Sequence, residues 1–202
     1  MKSYDSIIFD FGGVILPINF QRTINAFKVL GMELDSNFGF LSQSPIFDQW
    51  DKGLVDTQQI LRFFRSKLSG NERNKTSDAA LVSAWNAILG QIPLHRVEWL
   101  EKLSAKLPLF LFSNTNHIHI DRLREVDPLM PRFEKVFKKA YYSYEMRMRK
   151  PDADGFLKIA SEQGLKIEHT LFVDDHPKNI EAASKLGFQT LHCTGEITQL
   201  LD

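Results

Sequence analysis

Two stretches of this chain, Leu109-Phe110-Leu111-Phe112 and Thr170-Leu171-Phe172-Val173, are apolar almost throughout. A strand with one wet face alternates polar and apolar residues. A near-continuous apolar run needs cover on both faces, as in a parallel sheet flanked by helices. Five short runs read as strands: Ser6–Phe9, Leu107–Phe112, Lys139–Tyr142, Thr170–Val173 and Phe188–His192. Helical patterns alternate with them. His95–Lys106 carries Val97, Leu100 and Leu103 near one face, and Asp152–Gln163 stops at Gly164. Pro177–Leu186 opens on proline and is followed by Gly187, the asymmetry of a capped helix. This alternation predicts an α/β fold with right-handed crossovers between parallel strands.

Residues 10–106 separate the first two strands, far more than one crossover needs. Their pattern is helical. Asp56-Thr57-Gln58-Gln59 forms a capping-box sequence ahead of Ile60, Leu61 and Phe64, and Ser77 can cap a helix bearing Leu81, Trp85 and Ile88. The expected domains are a core of residues 1–16 and 89–202 and a helical cap of residues 17–88, placed beside the tip of the first strand. Such a cap could close over a ligand.

Polar groups follow the strands. Asp10 ends the first and is followed by Phe11-Gly12-Gly13. Ser113-Asn114-Thr115-Asn116 follows the second, Arg149-Lys150-Pro151 comes after the third, and Asp174-Asp175 ends the fourth. In a parallel sheet the carboxyl ends of strands lie along one edge, where ligands bind. Carboxylates about 4 Å apart repel by ~4 kcal/mol at an effective dielectric near 20, so Asp10, Asp174 and Asp175 together call for a cation. Hard oxygen donors without Cys or His favour Mg²⁺. Ser113, Lys150 and backbone amides then suit a phosphoryl group.

These motifs resemble those of the haloacid dehalogenase superfamily, along essentially the whole chain. Asp10–Val14 is similar to its motif I, Ser113 to motif II, Lys150 to motif III and Asp174-Asp175 to motif IV. The resemblance implies a Rossmann-like, doubly wound parallel sheet with a subclass I helical-bundle cap. Phe-Asp-x-Gly-x-Val, Ser-Asn-Thr-Asn and Met-Arg-Lys-Pro look closest to the α-glucose-1-phosphate phosphatase-like branch. It implies Mg²⁺-dependent hydrolysis of a small phosphorylated metabolite, a sugar 1-phosphate among the candidates, through an aspartyl-phosphate on Asp10. Asp10, Ser113 and Lys150 would be catalytic. Asp10, Phe11, Gly12, Ser113, Asn114 and Lys150 would hold phosphate. Asp10, the Gly12 carbonyl and Asp175 would hold the metal, with Asp174 acting directly or through water.

The chain departs from the usual motif at Gly12, where most phosphatases of the family carry an acid/base Asp. Losing such a group costs ~10²–10⁴-fold in rate. An anomeric phosphate, whose leaving oxygen is a weaker base, would suffer less. His117, His119 and His176 are candidates to stand in. Asp48, Trp50 and Lys52 are expected to face the leaving group from the cap. Two rival readings are a metal-independent 2-haloacid dehalogenase and a phosphate-binding regulatory protein without turnover.

Composition limits the partners. Lys+Arg and Asp+Glu are 25 each in 202 residues, so no polyanion-binding surface is expected and nucleic acid is not a predicted partner. No apolar stretch approaches the ~20 residues that span a bilayer, and the N-terminus lacks a signal-peptide pattern, so a cytoplasmic protein without membrane partners is expected. The single cysteine, Cys193, excludes a disulfide framework and reads as a buried strand residue. The sequence does not set the oligomeric state.

Overall fold

Ser6–Phe9 forms β1 at the centre of a five-stranded parallel sheet of order β3-β2-β1-β4-β5, where β2 is Leu109–Ser113, β3 Lys139–Tyr142, β4 Thr170–Asp174 and β5 Gln189–His192. The computed structural model describes residues 4–32 and 44–201. Part of the expected cap, residues 33–43, therefore lies outside the described residues, as do Met1–Ser3 and Asp202.

The apolar runs bury both faces of the sheet by alternation. Ile7, Phe9, Leu109, Leu111, Leu171 and Val173 point to one side. There they meet helices α6 (Leu94–Ser104), α7 (His117–Val126) and α8 (Met130–Val136) and the short α12 (Ile197–Leu200), through Leu100, Leu123, Phe133 and Ile197. Ile8, Phe110, Phe112 and Phe172 point to the other side, against Phe156 and Ile159 of α10 (Ala153–Gln163) and Ala183 of α11 (Pro177–Lys185). Burial of each large apolar side chain is worth about 1.5–3 kcal/mol.

The strand ends differ from the sequence reading by one or two residues, and the differences matter. Ser113 and Asp174 are the last residues of β2 and β4, paired with Tyr142 and His192. They are held by the sheet ladder instead of standing in the turns beyond it. Leu107 stays out of β2 because its N–H closes the end of α6 on the Leu103 carbonyl. Cys193 is buried, but it follows β5, with its N–H on the Asp174 carbonyl.

Between β1 and β2 the helices α1 (Phe20–Val29), α2 (Pro45–Asp51), α3 (Thr57–Ser66), α4 (Glu72–Lys75) and α5 (Asp78–Asn86) build a separate apolar cluster around Phe27, Phe47, Trp50, Phe64 and Trp85. The Asp56–Gln59 capping box forms at the start of α3, and Ser77 caps α5. Chain enters and leaves this helical body side by side, with Asn19 N–H on the Ile88 carbonyl and Gly90 N–H on the Pro17 carbonyl. Ile118 of α7 reaches into the same cluster from the core.

Candidate active site

The sheet order reverses between β1 and β4, and Asp10 and Asp174 stand at the adjacent carboxyl ends of those strands. This is the crevice where open α/β sheets take their ligands. Asp10 follows β1 directly. Its N–H is tied to the Val173 carbonyl of β4, and its Oδ1 accepts from the Phe11 N–H at 2.7 Å. The loop beyond turns back at Gly13, whose φ is +83°. Added there, a Cβ would overlap the Asp175 carboxylate, so glycine lets that carboxylate approach the backbone. The loop is fastened from outside by Arg96 of α6, which donates to the Val14 and Ile15 carbonyls and forks onto Glu196 at 3.0 and 2.7 Å.

Lys150 is the centre of the charge arrangement. It is 1% exposed, with its ammonium 2.8 Å from Asp10 Oδ1 and 2.6 Å from Asp174 Oδ2, above the rings of Phe112 and Phe172. Burial alone would drive the proton off, but the two carboxylates outweigh it and raise the ammonium above its ordinary range. For Asp10, burial raises the carboxyl, partly offset by Lys150 and reinforced by Asp174.

The two adjacent aspartates have different surroundings. Asp174 is fully buried and accepts from Lys150, from the Asn179 amide at 3.0 Å on each oxygen, and from the His176 N–H at 2.7 Å. Its oxygens are occupied by protein donors. Asp175 is the more open of the two, and no other residue donates to its carboxylate among the described residues; burial and Asp174 raise its pKa. Oxygens of Asp10, Asp174 and Asp175 all lie within 4.8 Å of one another. The Asp10 and Asp175 carboxylates, with the Gly12 carbonyl, could hold a hard divalent cation, with Asp174 beside them bonded to Lys150, Asn179 and the His176 N–H.

Other sequence candidates fall differently. Buried Ser113 lines a cavity of about 600 Å³ in front of Phe11 and Gly12. The Phe11 N–H is engaged by Asp10 and its ring stacks on Phe133, centroids 4.6 Å apart. Asn114 lines the same cavity, and both ends of its side-chain amide bond the Lys150 backbone, so the side chain braces the loop that carries Lys150. Trp50 is corrected. It is fully buried, packed on Phe47, Phe64 and Trp85 within the apolar cluster between β1 and β2. Lys52 pairs with Asp48 at 3.3 Å and with Asp152 at 3.0 Å, and Asp48 also meets Arg149 at 3.2 Å. The physical reason is helical phase. Residues 48, 51 and 52 share a face of α2 and its end, whereas 50 faces away.

That phase exposes two residues the sequence reading missed, Asp51 and Arg149, which line the cavity with Gly12 and Ser113 and lie 3.3 Å apart. The i, i+3 spacing from Asp48 was the available signal for Asp51. Of the histidines, His117 bonds Thr57 and is absent from the lining of this cavity. His119 lines it, yet burial drives its pKa down to about 3, so it is a neutral ring stacked on Trp85. His176 lines it as the cap of α11, its Nδ1 accepting from the Lys178 N–H at 3.2 Å.

Comparison with known proteins gives the family. The description "haloacid dehalogenase-like hydrolase" matches residues 4–187. The chain belongs to that family. Among haloacid dehalogenase-like relatives, a D-ribitol-5-phosphate phosphatase of Bacteroides thetaiotaomicron is 27% identical over 192 residues, covering 92% of this chain and 89% of that protein. A sesquiterpene phosphatase of Aspergillus oryzae is 23% identical, covering 99% of this chain and 95% of that one. A solved family enzyme of Bacteroides thetaiotaomicron, in complex with magnesium and inorganic phosphate, superposes with a TM-score of 0.84 at 29% identity, covering 99% of this chain and all of that one. No helix among the described residues is long and apolar enough to cross a membrane.

Proposed function

We propose that the protein is a Mg²⁺-dependent phosphomonoesterase acting on a small phosphorylated metabolite, through an aspartyl-phosphate on Asp10. The observation that carries this is the contrast between the two oxygens of Asp10. One is pinned by the Phe11 N–H and the Lys150 ammonium, and the other has no bonding partner among the described residues. A pinned carboxylate with one free oxygen is a positioned nucleophile.

Asp10 attacks phosphorus along that oxygen. Lys150 and Ser113 balance charge on the phosphoryl oxygens, and Lys150 keeps Asp10 oriented. Asp175 and the Gly12 carbonyl would hold Mg²⁺ with Asp10, and the bound ion would neutralise phosphoryl charge. Magnesium and phosphate in the related Bacteroides enzyme support that choice of ion.

The substrate class is phosphorylated sugars and polyols. The ribitol phosphate phosphatase supports a polyol, and Gly12 supports a sugar 1-phosphate, whose leaving oxygen needs less help. An alcohol ester would need a proton from another group on the cavity wall.

The test is a panel of phosphate esters assayed with Mg²⁺, with EDTA and with Asp10→Asn. Turnover that needs Mg²⁺ and disappears in the variant is expected. Halide release from 2-haloacids, indifferent to chelator, would replace this reading with a dehalogenase. Tight phosphate binding without hydrolysis of any ester would replace it with a regulatory protein.

A further inference from the structure

Position 12 has no side chain, so the loop after β1 offers no proton there to an alcohol leaving from phosphorus. The cavity in front of Gly12 does contain a carboxyl. Asp51, at the C-terminal end of cap helix α2, is the one Asp or Glu on its lining among the described residues, and it shares that wall with Ser113 and Arg149.

Its charge surroundings are uneven. Arg149 Nη1 is divided between Asp48 Oδ1 at 3.2 Å and Asp51 Oδ2 at 3.3 Å, while Lys52 serves Asp48 and Asp152. Three carboxylates (Asp48, Asp51, Asp152) thus share two cations (Lys52, Arg149). Asp48 and Asp152 have half-exposed side chains, and Asp51 is 21% exposed, so the uncompensated charge is least tolerable at Asp51. Burial pushes this carboxyl up to about 7, against the pull of Arg149 and with the push of Asp48. The charged groups acting on it are Arg149 from the core and Asp48 from its own helix; Lys52 and Asp152 pair with each other beside them, and His119 and His176 line the same cavity.

We propose that Asp51 is the general acid and base of this enzyme, replacing the side chain absent at position 12. This rests on the aspartyl-phosphate reading above. As the bond from phosphorus to the Asp10 oxygen forms and the bond to the substrate oxygen breaks, the Asp51 carboxyl gives its proton to that oxygen. The products are a neutral alcohol, the aspartyl-phosphate and an Asp51 carboxylate facing Arg149. In the second half, Asp51 takes a proton from water as its oxygen attacks phosphorus. Inorganic phosphate leaves, Asp10 regains its carboxylate and Asp51 its proton. A donor with a pKa near working pH suits both halves. The placement also ties chemistry to cap position, because Asp51 comes from the cap and Asp10 from the core.

The experiment compares kcat/KM for 4-nitrophenyl phosphate, whose leaving group needs no proton, with the best alkyl phosphate of the panel. The enzymes are wild type, Asp51→Asn, Asp51→Glu and Asp10→Asn. Asp51→Asn is expected to lower alkyl phosphate turnover ~10²–10⁴-fold. The fall for 4-nitrophenyl phosphate should be at least tenfold smaller, and Asp51→Glu should restore part of the alkyl activity. Equal losses on both esters, or none, would overturn the assignment. Should Asp51→Asn not fold, the wild-type pH profile decides. The alkyl reaction is expected to fall as pH rises through about 7 while the nitrophenyl reaction does not, and parallel profiles would overturn the proposal. Full activity of Asp10→Asn would instead remove the aspartyl-phosphate reading, and the role of Asp51 with it.

Discussion

The Asn114 amide grips the backbone of Lys150 at both ends, its Nδ2 donating to the Lys150 carbonyl at 2.8 Å and its Oδ1 accepting from the Lys150 N–H at 2.9 Å. Two residues from different strand ends are thereby fixed to each other, and the ammonium that faces Asp10 inherits that rigidity.

Asn114→Ala removes both bonds and leaves two backbone groups without them. A fall in kcat of up to about a hundredfold is expected from misplacement of Lys150, because an ångström of displacement costs on that order. Km for the phosphate ester should change much less. A rise in Km at constant kcat would return Asn114 to the role of a direct phosphate ligand.

The two glycines after Asp10 should respond oppositely. At Gly12 an added Cβ meets only Ile18 methyls at 3.5 and 3.6 Å, ordinary contact, so Gly12→Ala should fold with unchanged thermal stability to within about 0.5 kcal/mol. At Gly13 the Cβ would overlap Asp175 and sit on a residue of φ +83°. Gly13→Ala is expected to cost more than about 1 kcal/mol. It should also raise the Mg²⁺ concentration needed for half-maximal activity by at least tenfold. Denaturant melts and Mg²⁺ titrations of the two variants check this.

Arg96 carries four bonds, two to Glu196 and one each to the Val14 and Ile15 carbonyls. Arg96→Lys keeps the charge but loses the planar fork. We expect about 1–3 kcal/mol of lost stability, since charged hydrogen bonds are broken around a half-buried group. A fall in kcat should accompany it as the Asp10 loop loosens. Urea midpoints and steady-state kinetics on the same preparation provide the comparison.

Acid should unfold the protein partly through His119. Burial holds its folded pKa down to about 3, against an unfolded value near 6.5. Between those values the unfolded chain binds a proton that the native state refuses. Stability from this group is therefore complete above about 6.5 and declines as pH falls towards 3. The slope is at most about 1.4 kcal/mol per pH unit. Urea midpoints at several pH values should show a shallower decline for His119→Gln than for wild type. Identical slopes would mean that the His119 ring is charged in the native protein.

Local sequence was enough for features whose cause is local. The period of two in Ile7-Ile8-Phe9 and in Leu109–Phe112 follows from strand geometry, and burial on both faces makes every residue apolar. The capping box at Asp56–Gln59 is a four-residue interaction, and the acidic and basic groups beyond each strand could be read in order because parallel strands share one end. Placement across the cap was different. Trp50 looked like a substrate platform and became core, while Asp51, one residue on, reached the cavity, because a helix turns 100° per residue and only its packing partners fix the phase. Asn114 looked like a ligand until the loop carrying Lys150 folded against it. Asp174 and Asp175 are identical in kind and adjacent in sequence; Lys150, arriving from a distant loop, joins the nearby Asn179 amide and His176 N–H on Asp174 and leaves Asp175 the more open. Sequence by itself determined which chemistry the chain carries, through residue types and their order after each strand. Tertiary structure alone decided which atoms remain free to perform it, since the Lys150 ammonium meets Asp10 and Asp174 only when distant parts of the chain are brought together.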